Sequence, residues 1–168
     1  MKIKTATEEQ NHLPVIGVGP LYVLPTVAVT ILAIALTKWG IIPPLGTVPV
    51  VPFYSAGSLS IVCGIYLWAA AVFSSRIDVK IKQNTLVTDG IYAHVRNPIY
   101  SAFLFLCTGA LLLCCNIFLL ILPPLFWLYL TVFIKLTEEK WLLKQYGAEF
   151  ETYCKKVNRC IPSIVGNE

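Results

Sequence analysis

Three long stretches of the chain contain no Asp, Glu, Lys, Arg or His: residues 13–37, 41–75 and 97–134. A helix that crosses a bilayer needs about 20 mostly apolar residues. The first two stretches therefore each predict one membrane-spanning helix, near residues 15–37 and 50–73. A proline-rich turn at residues 42–46 separates them.

The third stretch is too long for one span and predicts two short helices, 98–115 and 117–136. Cys115-Asn116 is the only strongly polar point within it and predicts the turn, while Pro123-Pro124 predicts a kink or a delayed start of the last helix. No alternating strand pattern appears, and backbone groups in lipid must be satisfied within the segment. We therefore predict an all-α integral membrane bundle of four transmembrane helices, forming one domain with a cytoplasmic C-terminal helical segment.

Composition and charge place this bundle in a membrane and orient it. The chain is 57% hydrophobic and 13% charged, with a mean hydropathy of +0.72, which excludes an ordinary water-soluble enzyme. A net charge of +4 is too small to predict nucleic-acid binding. When the spans alternate, all but one of the 13 Lys and Arg residues fall on one side. The positive-inside rule then predicts a multi-pass protein with both termini cytoplasmic.

The spans themselves offer little chemistry. Apart from Lys135 at the very end of the last one, they contain no Asp, Glu, Lys, Arg or His, which disfavours an ion pump or a proton-coupled transporter. Ala56, Ser60 and Gly64 form a small-residue stripe that predicts close helix packing. The six cysteines show no metal-ligand spacing, so no metal site is predicted, and the oligomeric state stays open.

Polar residues concentrate in two segments on the predicted cytoplasmic side, 84–100 and 138–162. Counted along antiparallel helices from the turn at Asn116, Arg96 and Glu138 reach a similar depth. Arg96, Tyr100, Glu138 and Glu139 should therefore meet at one rim. Two acids and one base beside aromatic rings suit a zwitterionic or cationic ligand.

Asn97 and Pro98 predict the start of the third helix, as an N-cap followed by proline at the first helical position. That helix end would attract a ligand carboxylate. Simpler interpretations remain: Arg96 as an interfacial anchor, and Glu138-Glu139 as a solvated face paired with Lys135 or Lys140. The aromatic residues of the rim could form an interfacial belt: Tyr92, Tyr100, Trp141 and Tyr146.

Three spaced motifs run through these segments: Leu86-Val87-Thr88-x-Gly90-x-Tyr92, Arg96-x-Pro98-x-Tyr100, and Glu138-Glu139-x-x-Leu142-x-x-x-Tyr146-Gly147-x-x-Phe150-x-x-Tyr153. In order and spacing, residues 84–162 resemble the C-terminal half of the isoprenylcysteine carboxyl methyltransferase family, which is similar to membrane phospholipid methyltransferases. The resemblance implies that S-adenosylmethionine is the cofactor and S-adenosylhomocysteine the product. The cofactor-binding residues it implies are Asn84, Thr85, Leu86, Val87, Tyr92, Asn97, Pro98, Ile99, Tyr100, Glu138 and Glu139.

Arg96 and Tyr100 are the candidate catalytic residues, and Arg96 and Lys135 the candidate substrate-binding residues. Asn97 stands where the family has histidine, and Ile134 stands where it has a substrate-binding arginine. The expected function is methylation of a lipophilic substrate that enters from the bilayer, with an isoprenylcysteine-like carboxylate as one acceptor. The alternatives are phospholipid or small-molecule N-, S- or O-methylation, a related membrane reductase, and a non-catalytic scaffold or small transporter.

Overall fold

The computed structural model describes residues 19–43, 49–74 and 85–163, and these ranges are helical without any strand. Two of the helices are short 3₁₀ turns, Gly90–Ala93 and Ile117–Ile121. The α-helices are α1 Gly19–Lys38, α2 Val50–Ser74, α3 Pro98–Leu112, α4 Leu122–Leu136, α5 Glu138–Tyr146 and α6 Ala148–Lys156.

Three helical stretches are long and apolar enough to cross a membrane: Gly19–Lys38, Val50–Phe73 and Ile117–Tyr146. Helix α3 is also apolar but has only 15 residues. The described chain therefore has the make-up of a helical membrane bundle. Four complete spans remain a prediction, and the predicted start of the first span, at residues 15–18, lies outside the described residues.

The hairpin between α3 and α4 turns at Asn116, as the sequence predicts. Asn116 is buried, and its Oδ1 accepts a hydrogen bond of 3.0 Å from the backbone N–H of Phe118. The 3₁₀ turn follows, and Pro123 and Pro124 occupy the first turn of α4. Their missing N–H groups would have no partner inside the helix there, so the prolines delay the start of α4 instead of breaking it.

Helices α2 and α3 pack closely because glycines line their contact. A Cβ atom added at Gly64 would lie 2.8 Å from Leu106 Cγ, and one added at Gly109 would lie 2.6 Å from Ile61 Cγ1. Side chains of any other type would push the two backbones apart. The Ser60 hydroxyl donates a 2.8 Å hydrogen bond across the same contact.

The predicted small-residue stripe on α2 is corrected at one position. Gly57 is buried in the α2–α3 contact, whereas Ala56 is exposed. An α-helix turns by about 100° per residue. Residues 57, 60 and 64, spaced by three and then four, therefore stay on one face. Residues 56, 60 and 64, spaced by four twice, rotate by about 80° around the helix axis. The contact face is therefore Gly57, Ser60 and Gly64.

The opposite side of α3 packs into the largest apolar core. Tyr22 of α1, Tyr100 and Leu111 of α3, and Leu130 of α4 are buried there. Ile134, the residue at the family's arginine position, is 1% exposed and belongs to the same core. This position therefore faces the interior of the bundle.

A separate apolar cluster joins the end of the chain to the segment before α3. Phe150, Tyr153 and Val157 are buried together, with Leu86 and Leu142 packed against them. This cluster holds α5 and α6 against residues 85–97, so both predicted polar segments belong to one structural unit.

Candidate functional site

Four rim residues meet in two pairs, as residue counting from Asn116 predicts. The Tyr100 hydroxyl donates a hydrogen bond to Glu138 Oε1. Beside it, Arg96 Nη1 lies 3.0 Å from Glu139 Oε1, with both side chains largely buried. The first turns of α3 and α5, with Arg96 just before α3, therefore supply one polar site at the end of the bundle.

A further arginine, which the sequence reasoning does not identify, completes this site. Arg159 Nε lies 2.7 Å from Glu139 Oε1, and its Nη2 lies 2.9 Å from Oε2, so the pair is bidentate. The hydrogen bonds with Glu139 raise the pKa of the Arg159 guanidinium, which secures its positive charge. The described ionic partners of Glu139 are thus two arginines, in place of the Lys135 or Lys140 considered from sequence.

Backbone hydrogen bonds bring Arg159 to the rim. The N–H groups of Arg96 and Asn97 donate to the carbonyl oxygens of Asn158 and Arg159, at 2.9 and 3.2 Å. The Ser163 N–H donates to the His94 carbonyl at 3.0 Å. The segment 157–163 is therefore fastened along the residues that precede α3. Backbone pairing of this kind leaves no residue pattern, so no sequence signal pointed to Arg159.

Asn97 occupies the predicted N-cap position of α3, with Pro98 in the first turn, but its side chain makes no capping hydrogen bond. Its Nδ2 instead donates to the Arg159 carbonyl at 3.2 Å. The predicted cap is wrong in this respect, because the returning segment supplies an acceptor for the amide. Asn97 joins α3 to the C-terminal segment.

A cavity of about 150 Å³ opens beside these groups and gathers most of the predicted site. The predicted site residues that line it are Thr85, Leu86, Val87, Tyr92, Arg96, Asn97 and Glu139. Four hydrophobic or aromatic residues complete the wall. They belong to the sequence motifs but are not among the predicted site residues: Leu142, Tyr146, Phe150 and Tyr153. We call this space the rim cavity.

Four of the predicted cofactor-binding residues that the structure describes lie outside the wall of the rim cavity. Tyr100 and Glu138 form their pair next to it, Pro98 is buried, and Ile99 packs against the apolar cluster shared with α2. Asn84 lies outside the described residues.

The structure does not bring Lys135 to the rim cavity. Its side chain is exposed and lines a different surface cavity, together with Lys140, Glu151 and Lys155. Glu139 borders both cavities, whereas Arg96 borders only the first of the two. The predicted pairing of Arg96 and Lys135 around one anionic group is therefore not seen in this arrangement.

The tyrosines of the rim are neutral hydrogen-bonding groups. Burial raises the pKa of the Tyr92 phenol, and the nearby Glu138 carboxylate raises it further. Burial likewise raises the pKa of Tyr153, whose hydroxyl donates a 2.7 Å hydrogen bond to the Tyr92 carbonyl. The charges of the site therefore come from its arginines and glutamates.

Comparison with known proteins identifies relatives of this chain. A protein-S-isoprenylcysteine O-methyltransferase from Schizosaccharomyces pombe is 36% identical over 120 residues, covering 66% of this chain and 50% of the relative. A probable protein-S-isoprenylcysteine O-methyltransferase from Oryza sativa subsp. indica is 34% identical over 88 residues, which cover 49% of this chain and 43% of the relative. The chain thus spans about half the length of these curated relatives. No solved structure matches it.

The family model described as phospholipid methyltransferase matches residues 52–149. This range contains most of α2, the α3–α4 hairpin and α5, together with the Tyr100–Glu138 and Arg96–Glu139 pairs but not Arg159. Because the match covers more than half of the chain, the protein belongs to the phospholipid methyltransferase family.

Proposed function

We propose that this protein is an integral membrane methyltransferase that transfers a methyl group from S-adenosylmethionine to a lipophilic acceptor. The observation that carries the proposal is the rim cavity, where the family's polar motifs converge at the end of an apolar bundle. The proposal includes four spans, with both termini and the rim cavity on the cytoplasmic side. Cofactor would then reach the rim from water, and the acceptor would reach it from the bilayer.

The groups around the rim cavity suit such a cofactor chemically. Glu138 and Glu139 offer carboxylates for ribose hydroxyls and an ammonium group, and the N-terminus of α3 offers partial positive charge for a carboxylate. Tyr92, Tyr146 and Phe150 offer aromatic faces for a purine or a sulfonium. When bound, S-adenosylmethionine supplies an electrophilic methyl group.

The residues of the chain would act mainly by positioning. The Tyr100 hydroxyl holds the Glu138 carboxylate in place, and the Arg96 guanidinium would orient the acceptor. Leu142 and Phe150 contribute an apolar wall that excludes water from the reacting atoms. Holding a nucleophile about 3–3.5 Å from its target accelerates a displacement without further chemical help.

A carboxylate is the acceptor that these groups favour. It is already deprotonated at neutral pH and needs no base, and the buried Tyr92 stays neutral. The relatives named as isoprenylcysteine O-methyltransferases support the same assignment. The second candidate is a phospholipid amine, which the family description supports; methylating it would require removal of a proton.

Methyl transfer from radiolabelled S-adenosylmethionine into lipid extracts tests this proposal. The purified protein in detergent should label a lipophilic product that releases methanol in base, as a methyl ester does. Arg96→Gln should slow this transfer at least about tenfold, since hydrogen bonds to charged groups contribute about 1.5–3 kcal/mol. Lys144→Gln, which removes an exposed charge on α5, is the matched control and should keep the wild-type rate.

A base-stable labelled product would shift the assignment to an amine. Absence of labelling by wild-type protein in every lipid fraction would support a scaffold or transporter and reject the methyltransferase proposal.

A further inference from the structure

A surface cavity of about 400 Å³ is formed by the end of α4 together with α5 and α6. Each of these helices contributes one lysine to its wall: Lys135 from α4, Lys140 from α5 and Lys155 from α6. All three side chains are exposed, and none makes an ion pair with another residue that the structure describes. Three separate helices therefore place ammonium groups around one concavity, which we call the lysine cavity.

The lysine cavity has an excess of positive charge. Its wall also contains two glutamates, Glu139 and Glu151. Glu139 is already paired with Arg96 and Arg159, so it adds no net negative charge. Glu151 offsets one of the three ammonium charges, which leaves a formal surplus of two. Because like charges around one cavity repel each other, an anion bound between them would relieve that repulsion.

An exposed apolar stripe on α4 leads to the lysine cavity. Leu125, Leu128 and Val132 are exposed and are spaced by three and then four residues. Lys135 follows three residues later, so all four positions lie on one face of the helix. They belong to the stretch Ile117–Tyr146, which is long and apolar enough to cross a membrane. Lys135 therefore stands where a surface suited to lipid ends and the charged cavity begins. We call the three apolar residues the α4 stripe.

We propose that the lysine cavity binds the head group of an anionic phospholipid whose acyl chains lie along the α4 stripe. Lysine side chains bind phosphate groups as flexible point charges. A terminal phosphate carries a charge of about −1.5 to −2 at neutral pH, which matches the surplus of two positive charges. Phosphatidic acid is the simplest phospholipid with such a head group.

Two observations favour a membrane lipid over a soluble anion. The α4 stripe offers hydrocarbon contacts that a soluble anion cannot use. In the orientation proposed above, the lysine cavity also lies at the cytoplasmic leaflet, where anionic lipids concentrate and attract basic residues next to a membrane span. Head group and acyl chains would therefore each have a matching surface.

This lipid is distinct from the methyl acceptor. Phosphatidic acid carries neither the carboxylate nor the amine that the proposed acceptors provide. The lysine cavity shares Glu139 and Phe150 with the rim cavity, but its three lysines do not line the rim cavity. A head group bound by all three would join α4, α5 and α6 as a structural lipid. Its binding requires no cofactor and can be measured alone.

Calorimetric titration of dioctanoyl phosphatidic acid into the protein in a non-ionic detergent measures this binding. The heat of titration into empty micelles is subtracted. Wild-type protein should bind phosphatidic acid at least about tenfold more tightly than dioctanoyl phosphatidylcholine, because only the former has a net negative charge. Glycerol 3-phosphate has the same head group without acyl chains and should bind at least about tenfold more weakly than phosphatidic acid.

Matched variants locate the site. Lys140→Gln and Lys155→Gln should each weaken the binding of phosphatidic acid about fivefold and leave phosphatidylcholine unchanged. Lys144→Gln removes an exposed charge of α5 outside the cavity wall and should change neither affinity. Glu151→Gln should have the opposite effect and strengthen the binding of phosphatidic acid, because it removes a negative charge from the wall. Glu149→Gln, an exposed glutamate of α6 outside the wall, is its control.

Equal affinity of wild-type protein for phosphatidic acid and phosphatidylcholine would overturn the proposal without reliance on any variant. Glycerol 3-phosphate binding as tightly as the lipid would identify a soluble anion as the ligand. A loss of affinity in Lys144→Gln as large as that in Lys140→Gln would show a diffuse surface attraction and reject the cavity as the site. If phosphatidic acid binds as expected while S-adenosylhomocysteine fails to bind, the lipid site stands and the methyltransferase proposal falls.

Discussion

The α2–α3 contact and the rim are built by opposite means. Between α2 and α3 the backbones approach because Gly57, Gly64 and Gly109 have no side chains there. At the rim, the segments are joined by long polar side chains, with Glu139 shared between Arg96 and Arg159. The first region fixes where α3 lies in the bundle, and the second determines what chemistry its end can perform.

This difference explains why the two regions should tolerate change differently. The close α2–α3 packing is disrupted when side-chain volume is added, and it does not depend on charged partners. The rim is lost when one charged partner is removed, because the remaining groups stay partly buried and unpaired. Variants in one region should therefore leave the other measurable.

Gly64→Leu should have the largest effect on stability. Its Cβ would already lie 2.9 Å from the Ala102 carbonyl oxygen, so α2 and α3 must separate. Overpacking of this kind costs about 3 kcal/mol, and the thermal unfolding midpoint in detergent should fall accordingly. Ala56→Leu, on the exposed face of the same helix, is the control and should leave the midpoint unchanged. Equal midpoints for the two variants would contradict the assigned contact face.

Glu139→Ala should disrupt the rim with a smaller loss of stability. It leaves two guanidinium groups facing each other without their shared carboxylate, at a cost of about 2 kcal/mol. Limited proteolysis should then cut near residues 157–163 more rapidly than in wild-type protein. Glu149→Ala, an exposed glutamate of α6, should keep the wild-type cleavage rate. Unchanged cleavage of Glu139→Ala would show that backbone pairing alone holds the segment.

The sequence predicts the rim better than the end of the chain, for a physical reason. Tyr100 and Glu138 meet because two regular helices rise by equal amounts from Asn116, and such a rise can be counted. Arg159 reaches Glu139 through an irregular segment that follows α6, and irregular backbone has no period to count. Asn97 holds the predicted N-cap position, but its side chain makes no capping hydrogen bond, and its Nδ2 donates to the Arg159 carbonyl of the same irregular segment.

Tyr153→Phe should have the smallest effect on stability, and it tests what Tyr153 contributes to the apolar cluster that it forms with Phe150 and Val157. It removes the 2.7 Å hydrogen bond to the Tyr92 carbonyl and keeps the ring, so the loss should be about 1 kcal/mol. Chemical denaturation should show the lower free energy of unfolding, while the slope of that free energy against denaturant concentration stays unchanged. Tyr54→Phe, on the exposed face of α2, is the matched control and should lose nothing. A loss as large as that of Glu139→Ala would mean that Tyr153 also supports the ion pairs.

Calorimetric titration of S-adenosylhomocysteine into the detergent-purified protein tests the central claim most directly. We predict saturable one-site binding to wild-type protein and to Glu149→Ala, with binding to Glu138→Ala weakened at least about tenfold because a charged hydrogen-bond acceptor is lost. Absence of binding to folded wild-type protein, or equally tight binding to Glu138→Ala, would contradict the assignment of the rim as the cofactor site.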